Sequence, residues 1–129
     1  MNTASCKAKG RTLQKEIVML LRKRFAFDLH YEDNTVCEDC YSGDITARPM
    51  GCSGTDVVLS PQAQQKIVYD IECKAQENLN IWSAMTQCEA NTKEGRVSLL
   101  VFKRNRTGVY CCLKFDDLLK HERLFSEFK

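Results

Sequence analysis

No apolar run in this chain approaches the roughly 20 residues that a helical membrane span needs. The opening stretch, MNTASCKAKGR, lacks the apolar core of a secretory leader, so a cytoplasmic location is expected. Internal repeats and low-complexity tracts are also missing, which argues against a solenoid or a disordered linker. There is little excess of charge of either sign: the net charge is +2, too small by itself to point to nucleic acid. Eight cysteines are present, yet a disulfide framework is not expected. Cys73 lies inside an apolar strand pattern, Cys88 inside a helical one, and the adjacent Cys111 and Cys112 would face opposite sides of a strand. Without a leader they read as small buried hydrophobes kept reduced.

The 129 residues suit a single domain, with enough chain to bury an ordinary core unaided by disulfide or metal. Hydrophobic residues at 43% and charged ones at 28% describe a globular chain and exclude a disordered one. Charge is unevenly spread. Residues 1–24 hold seven basic side chains against Glu16, whereas residues 25–50 hold six acidic ones against Arg48. That asymmetry suggests one face for a polyanion and an acidic loop elsewhere, although a solvated basic helix accounts for the same counts.

Residues 1–10 show no periodicity and read as a loose basic arm. From Thr12, with Thr12 or Arg11 near its N-cap, a helix is predicted on the spacing of Leu13, Ile17, Leu20, Leu21 and Phe25. Glu16 borders that stripe, about 60° from Leu13 and about 40° from Leu20 at helical pitch. Residues 32–50 form a polar stretch expected to be a flexible acidic loop. Within it Cys37 and Cys40 have the spacing of half a zinc site, with only His30 or Cys52 as scattered partners.

Two apolar strands are expected between Gly51 and Lys74, joined through SPQAQQKI by a turn that starts at Pro61. Gly51 and Gly54 would let backbone approach a ligand closely. A helix from Ile81 to Lys93, capped by Asn80 and ended by Gly95, should carry Ile81, Ala84 and Cys88 on one face. The run from Val97 to Phe102 reads as a strand buried on both faces. A basic turn, KRNRTG, and a return strand from Val109 to Phe115 follow, and a tail helix from Asp116 carries Leu118, Leu119 and Leu124. The order is α/β with a mixed sheet.

Three charges in these strands matter most. Asp56 opens the first, and Glu72 and Lys74 stand two apart on the second, so both project from one face. Charges in an apolar sheet have partners or a task. Two carboxylates and an ammonium suit metal-assisted phosphodiester hydrolysis, with hard oxygen ligands holding Mg²⁺ or Mn²⁺. An ordinary buried salt bridge is the rival explanation.

With Glu16 on a preceding helix, Asp56 on one strand and Glu72-Cys73-Lys74 on the next, the chain resembles the PD-(D/E)xK nuclease superfamily. More closely it resembles small Holliday-junction-resolvase-like endonucleases of prokaryotes and their phages, over roughly residues 10–120. Thr55 stands where the nominal motif has proline. The resemblance implies a restriction-endonuclease-like core, a central mixed β-sheet flanked by helices, and a homodimeric, structure-selective DNA endonuclease in a prokaryotic cell or phage-infected host. It implies Asp56 and Glu72 as metal ligands for Mg²⁺ or Mn²⁺, joined by the backbone carbonyl of Cys73 and by Glu16, directly or through water. Lys74 would position or activate the attacking water, with Gln76 and Gln87 as further cleft residues. Lys7, Lys9, Arg11, Arg48, Lys103, Arg104 and Arg106 would contact DNA phosphates. The alternative is a non-catalytic DNA-binding or interaction module on the same fold, with a zinc site at Cys37 and Cys40.

Overall fold

Helix α1 takes its shape from a buried stripe of Leu13, Ile17, Val18 and Arg22, at helical spacing. A computed structural model of the protein describes residues 3–25 and 43–120. α1 runs from Thr3 to Phe25, so most of the segment expected to be a loose arm is helical. Thr12 lies mid-helix and returns its hydroxyl proton to the carbonyl of Ala8 at 2.9 Å, which is not an N-cap geometry. Leu20 is 53% exposed, and Val18 takes the place expected of it in the stripe. Arg22 is 1% exposed and donates from Nε to the carbonyl of Ile45 at 2.8 Å, tying the helix to the first strand. It therefore does not belong to the exposed basic face.

That first strand, β1 (Ile45–Ala47), pairs antiparallel with β2 (Val57–Leu59). β1 falls inside the stretch expected to be a loop. Its two inward residues, Ile45 and Ala47, are buried in the main core, which is enough to hold three residues in a strand despite polar flanks. Residues 32–42 of that expected loop, including Cys37 and Cys40, lie outside the described residues, as does His30.

The connection after β2 is a short helix, α2 (Pro61–Lys66), where a turn is expected from sequence. Ser60 caps it, accepting from the amide of Ala63, and Pro61 occupies the first helical position, where its missing N–H is no loss. β3 (Tyr69–Ala75), α3 (Ile81–Asn91) and β4 (Val97–Lys103) then form a strand–helix–strand unit. β3 and β4 are parallel over their whole length, from Tyr69 opposite Val97 to Ala75 opposite Lys103. α3 starts as expected, with the Asn80 side chain accepting from Ser83, but ends at Asn91, four residues before Gly95. β5 (Tyr110–Cys112) returns antiparallel to β4 and is shorter than expected, and α4 spans Phe115–Lys120. Leu124 lies outside the described residues.

The strands make two sheets, β1–β2 and β3–β4–β5. One backbone bond joins them: the amide of Asp56, just before β2, donates to the carbonyl of Ile71 in β3 at 3.0 Å. α1 covers the face of β3 that carries Ile71 and Cys73, and α3 covers the other, with Ala84 and Met85 against Leu100. The architecture is thus mixed α/β, with a three-stranded mixed sheet between helices. No helix among the described residues is long and apolar enough to cross a membrane. Cys52, Cys73, Cys88, Cys111 and Cys112 are free. Cys73 and Cys88 are buried as expected, while Cys52 and Cys111 are exposed.

Candidate active site

The alternation of β3 sends Asp70, Glu72 and Lys74 toward α3, and the two acids are buried there. They receive opposite treatment. Asp70 is paired with Arg96 at 2.5 Å and also accepts from the amide of Lys93. The same arginine donates to the carbonyls of Ile67 and Tyr69, stitching the start of β3 to the approach to β4. Glu72, 3% exposed, faces another carboxylate, that of Asp56, at hydrogen-bonding range. Among the described residues no cation forms an ion pair with Glu72 or Asp56.

The consequence is electrostatic. Burial, and then the charge of Asp56, push the Glu72 carboxyl from the ordinary carboxylate range up to about 7. Asn91 opposes this by donating from Nδ2 to Oε1 at 2.9 Å, and Lys74 opposes it more weakly. Asp56 is held in turn by the amide of Cys73, which donates to Oδ2 at 2.7 Å. Each carboxylate therefore has one oxygen fixed by a neutral donor.

Asp56 is aimed by the segment before it. The amide of Arg48 donates to the carbonyl of Asp56 at 2.8 Å, closing the β1–β2 connection. Gly54 has φ +116°, and a Cβ there would stand 2.8 Å from the Arg48 guanidinium carbon. The close approach that this glycine permits is thus to Arg48, whose Nε donates to the carbonyl of Thr55. Gly51 has φ +81° with open space around it, a turn requirement and no close approach.

Compared with family models, curated proteins and solved structures, the chain finds no match.

The remaining site residues expected from sequence divide by position. Lys74 is half-buried on the same strand face as Glu72. The Cys73 side chain points into the α1 core, where burial raises its thiol well above the ordinary range, so only its backbone is available to the site. Glu16 is exposed on the helix that covers the opposite face of β3. It lines a cleft of about 310 Å³ at the end of the strand, with Gln76 and Glu77. Among the described residues no three His, Cys, Asp or Glu side chains converge as a metal-ligand group, so Glu16 is not brought to the Asp56–Glu72 pair. Gln87 is exposed on α3, one turn before the polar residue that does reach Glu72.

That residue, Asn91, was not expected from sequence. Its signal is present nonetheless, because Ala84, Cys88 and Asn91 continue one helical stripe at steps of four and three. An amide on the buried face of a helix needs a partner, and Glu72 is that partner. Of the basic residues, Lys9, Lys103 and Arg104 line the same cleft, bringing the first half of α1 and the β4–β5 turn together. Arg106, at φ +65°, and Lys7 are exposed. Arg11 donates to the sulfur of Met50, and Arg48 holds the Thr55 carbonyl.

Proposed function

We propose that this protein is a metal-dependent DNA endonuclease with a restriction-endonuclease-like core, acting on structured DNA as a homodimer. The observation that carries the reading is the contrast within β3. Asp70 is neutralised by Arg96, whereas Glu72, two residues on, is buried against Asp56. Two carboxyl groups side by side, one buried and the other half-buried, either share a proton or hold a cation. Two carboxylates, completed by water and phosphate oxygens, are a usual donor set for Mg²⁺. The residues present therefore fit a hard divalent cation, held by Asp56, Glu72 and the Cys73 carbonyl.

Such a cation would polarise the scissile phosphate and acidify the attacking water. The chain's own groups do the rest. The Cys73 amide and Asn91 orient the two carboxylates, each leaving one oxygen free for the cation. Lys74 places an ammonium beside them to steady the nucleophile or the charge that develops on phosphorus. The cleft of Lys9, Lys103 and Arg104 would carry the flanking phosphates.

The test is a labelled panel of four-way junction, flap, nicked, single-stranded and linear duplex DNA with Mg²⁺ or Mn²⁺. The wild type is expected to cut at least one structure, and Glu72→Gln and Lys74→Ala to slow cutting by about 10²-fold or more. An intact panel, or full activity in both variants, removes the enzyme reading. Calorimetry with Mn²⁺ then decides what is left, since no metal binding would leave a DNA-binding module on the same fold.

A further inference from the structure

Between the start of α3 and the β4–β5 pair lies a groove of about 360 Å³, within the size range of small-ligand sites. Ile81 and Phe102 give it an apolar floor, and Tyr110 stands on one wall. Tyr110 is opposite Phe102 across the strand pair, their ring centroids 6.3 Å apart and their planes 29° from parallel. The pairing orients the tyrosine ring while leaving it 62% exposed. An exposed, oriented aromatic face over an apolar floor accepts a flat partner.

The rim says which flat partner. Lys103 and Arg104 line this groove and also the basic cleft toward α1, so a phosphate chain held in one continues into the other. The acid at this rim, Glu77, accepts from the backbone amide of Asn105 and so serves the turn. A base that stacks and an anion that follows it describe one nucleotide of a polynucleotide. Bases of an intact duplex are stacked on each other and cannot reach Tyr110, whereas an unpaired base can.

We propose that this groove binds one unpaired nucleotide, its base stacked on Tyr110 and its phosphate on Lys103 and Arg104. This makes DNA with a single-stranded part the preferred substrate class. The inference rests on the nuclease reading for its relevance, but it is tested without cleavage. Fluorescence anisotropy in EDTA would compare a short labelled oligo-dT with a blunt duplex, using the full chain. Tyr110→Ala should weaken oligo-dT binding about tenfold and change duplex binding less than twofold. Tyr110→Phe, which keeps the ring face, should bind oligo-dT within twofold of the wild type. Circular dichroism checks that the exposed substitution leaves the fold intact.

Three results would overturn the proposal: no oligo-dT binding by the wild type, unchanged binding in Tyr110→Ala, or equal losses for single strand and duplex. A fourth is a fall in sedimentation mass of Tyr110→Ala, which would make the groove a contact between copies of the chain. Cleavage lost in Glu72→Gln together with oligo-dT binding indifferent to Tyr110 would remove this inference alone. Tyr110-dependent oligo-dT binding with no cleavage of any substrate would remove the nuclease reading alone.

Discussion

Glu72 and Asp70 differ by one methylene, point the same way from one strand and are both buried, so their surroundings alone separate them. Asp70 is paired with Arg96. Glu72, beside Asp56, holds a proton up to about pH 7, against an ordinary value of 4.5. Its folded-state pKa is therefore above its unfolded value. Stability from this group is fully present below about pH 4.5 and is lost as pH rises toward 7, the linkage over that window being roughly 3 kcal/mol at most. Thermal melts of the metal-free protein should thus show Tm falling between pH 5 and pH 8. Glu72→Gln should flatten that fall, and Mn²⁺ should restore Tm at pH 8 in the wild type but not in the variant. A wild-type Tm that rises over this range would contradict the account. Asn91 acts on the same carboxyl from outside. Asn91→Ala leaves Glu72 without the donor that favours its charged form, so Mn²⁺ affinity measured by calorimetry should fall about 10- to 100-fold.

Elements place these side chains, and their legibility in the sequence follows the strength of the local signal. α3 is readable because an Asn80 cap precedes an apolar stripe, and β4 because its apolar run is uninterrupted. The i, i+2 spacing of Glu72 and Lys74 sets both on one strand face, as expected. β1 was not readable, since three residues between polar flanks are held by Ile45 and Ala47 reaching a core built from remote segments. Arg22 was misleading for the opposite reason: a charged residue completes an apolar stripe because a strand carbonyl lies opposite it. Asp70 carried no sequence sign of its partner, which stands 26 residues away. Breaking that pair by Arg96→Met would strand a buried carboxylate and remove donors from the carbonyls of Ile67 and Tyr69. A loss of about 3–5 kcal/mol is expected by urea denaturation. Gly54→Ala should cost about 1–3 kcal/mol, because φ is positive there and the Arg48 guanidinium beside it is anchored to Thr55. The same variant should weaken Mn²⁺ binding, since Asp56 is two residues on.

At the scale of the whole molecule, the parallel pairing of β3 with β4 is what turns scattered residues into a surface. Ala75 and Lys103 end the two strands side by side, so whatever follows each strand meets at one edge of the sheet. Open α/β sheets bind ligands beyond the carboxyl ends of their strands. Here that edge carries Gln76 and Glu77 from β3, Lys103 and Arg104 from β4, and Lys9 and Glu16 from the helix laid across it. Lys74 is one residue inside the same edge, and its neighbour Ala75 lines the basic cleft. At that edge Lys9, Lys103 and Arg104 outnumber Glu16 and Glu77, and Glu77 serves the turn by accepting from the amide of Asn105. If Lys103 and Arg104 each contact a phosphate, replacing both with alanine should lower the slope of log K against log salt by about 2. Affinity should fall by a similar factor for single-stranded and duplex DNA, because phosphate contacts carry no base or structure preference. Anisotropy titrations of both DNAs in EDTA between 50 and 300 mM NaCl, on the order of the range where such slopes are resolved, measure this directly. An unchanged slope in the double variant would place the DNA on another face of the molecule.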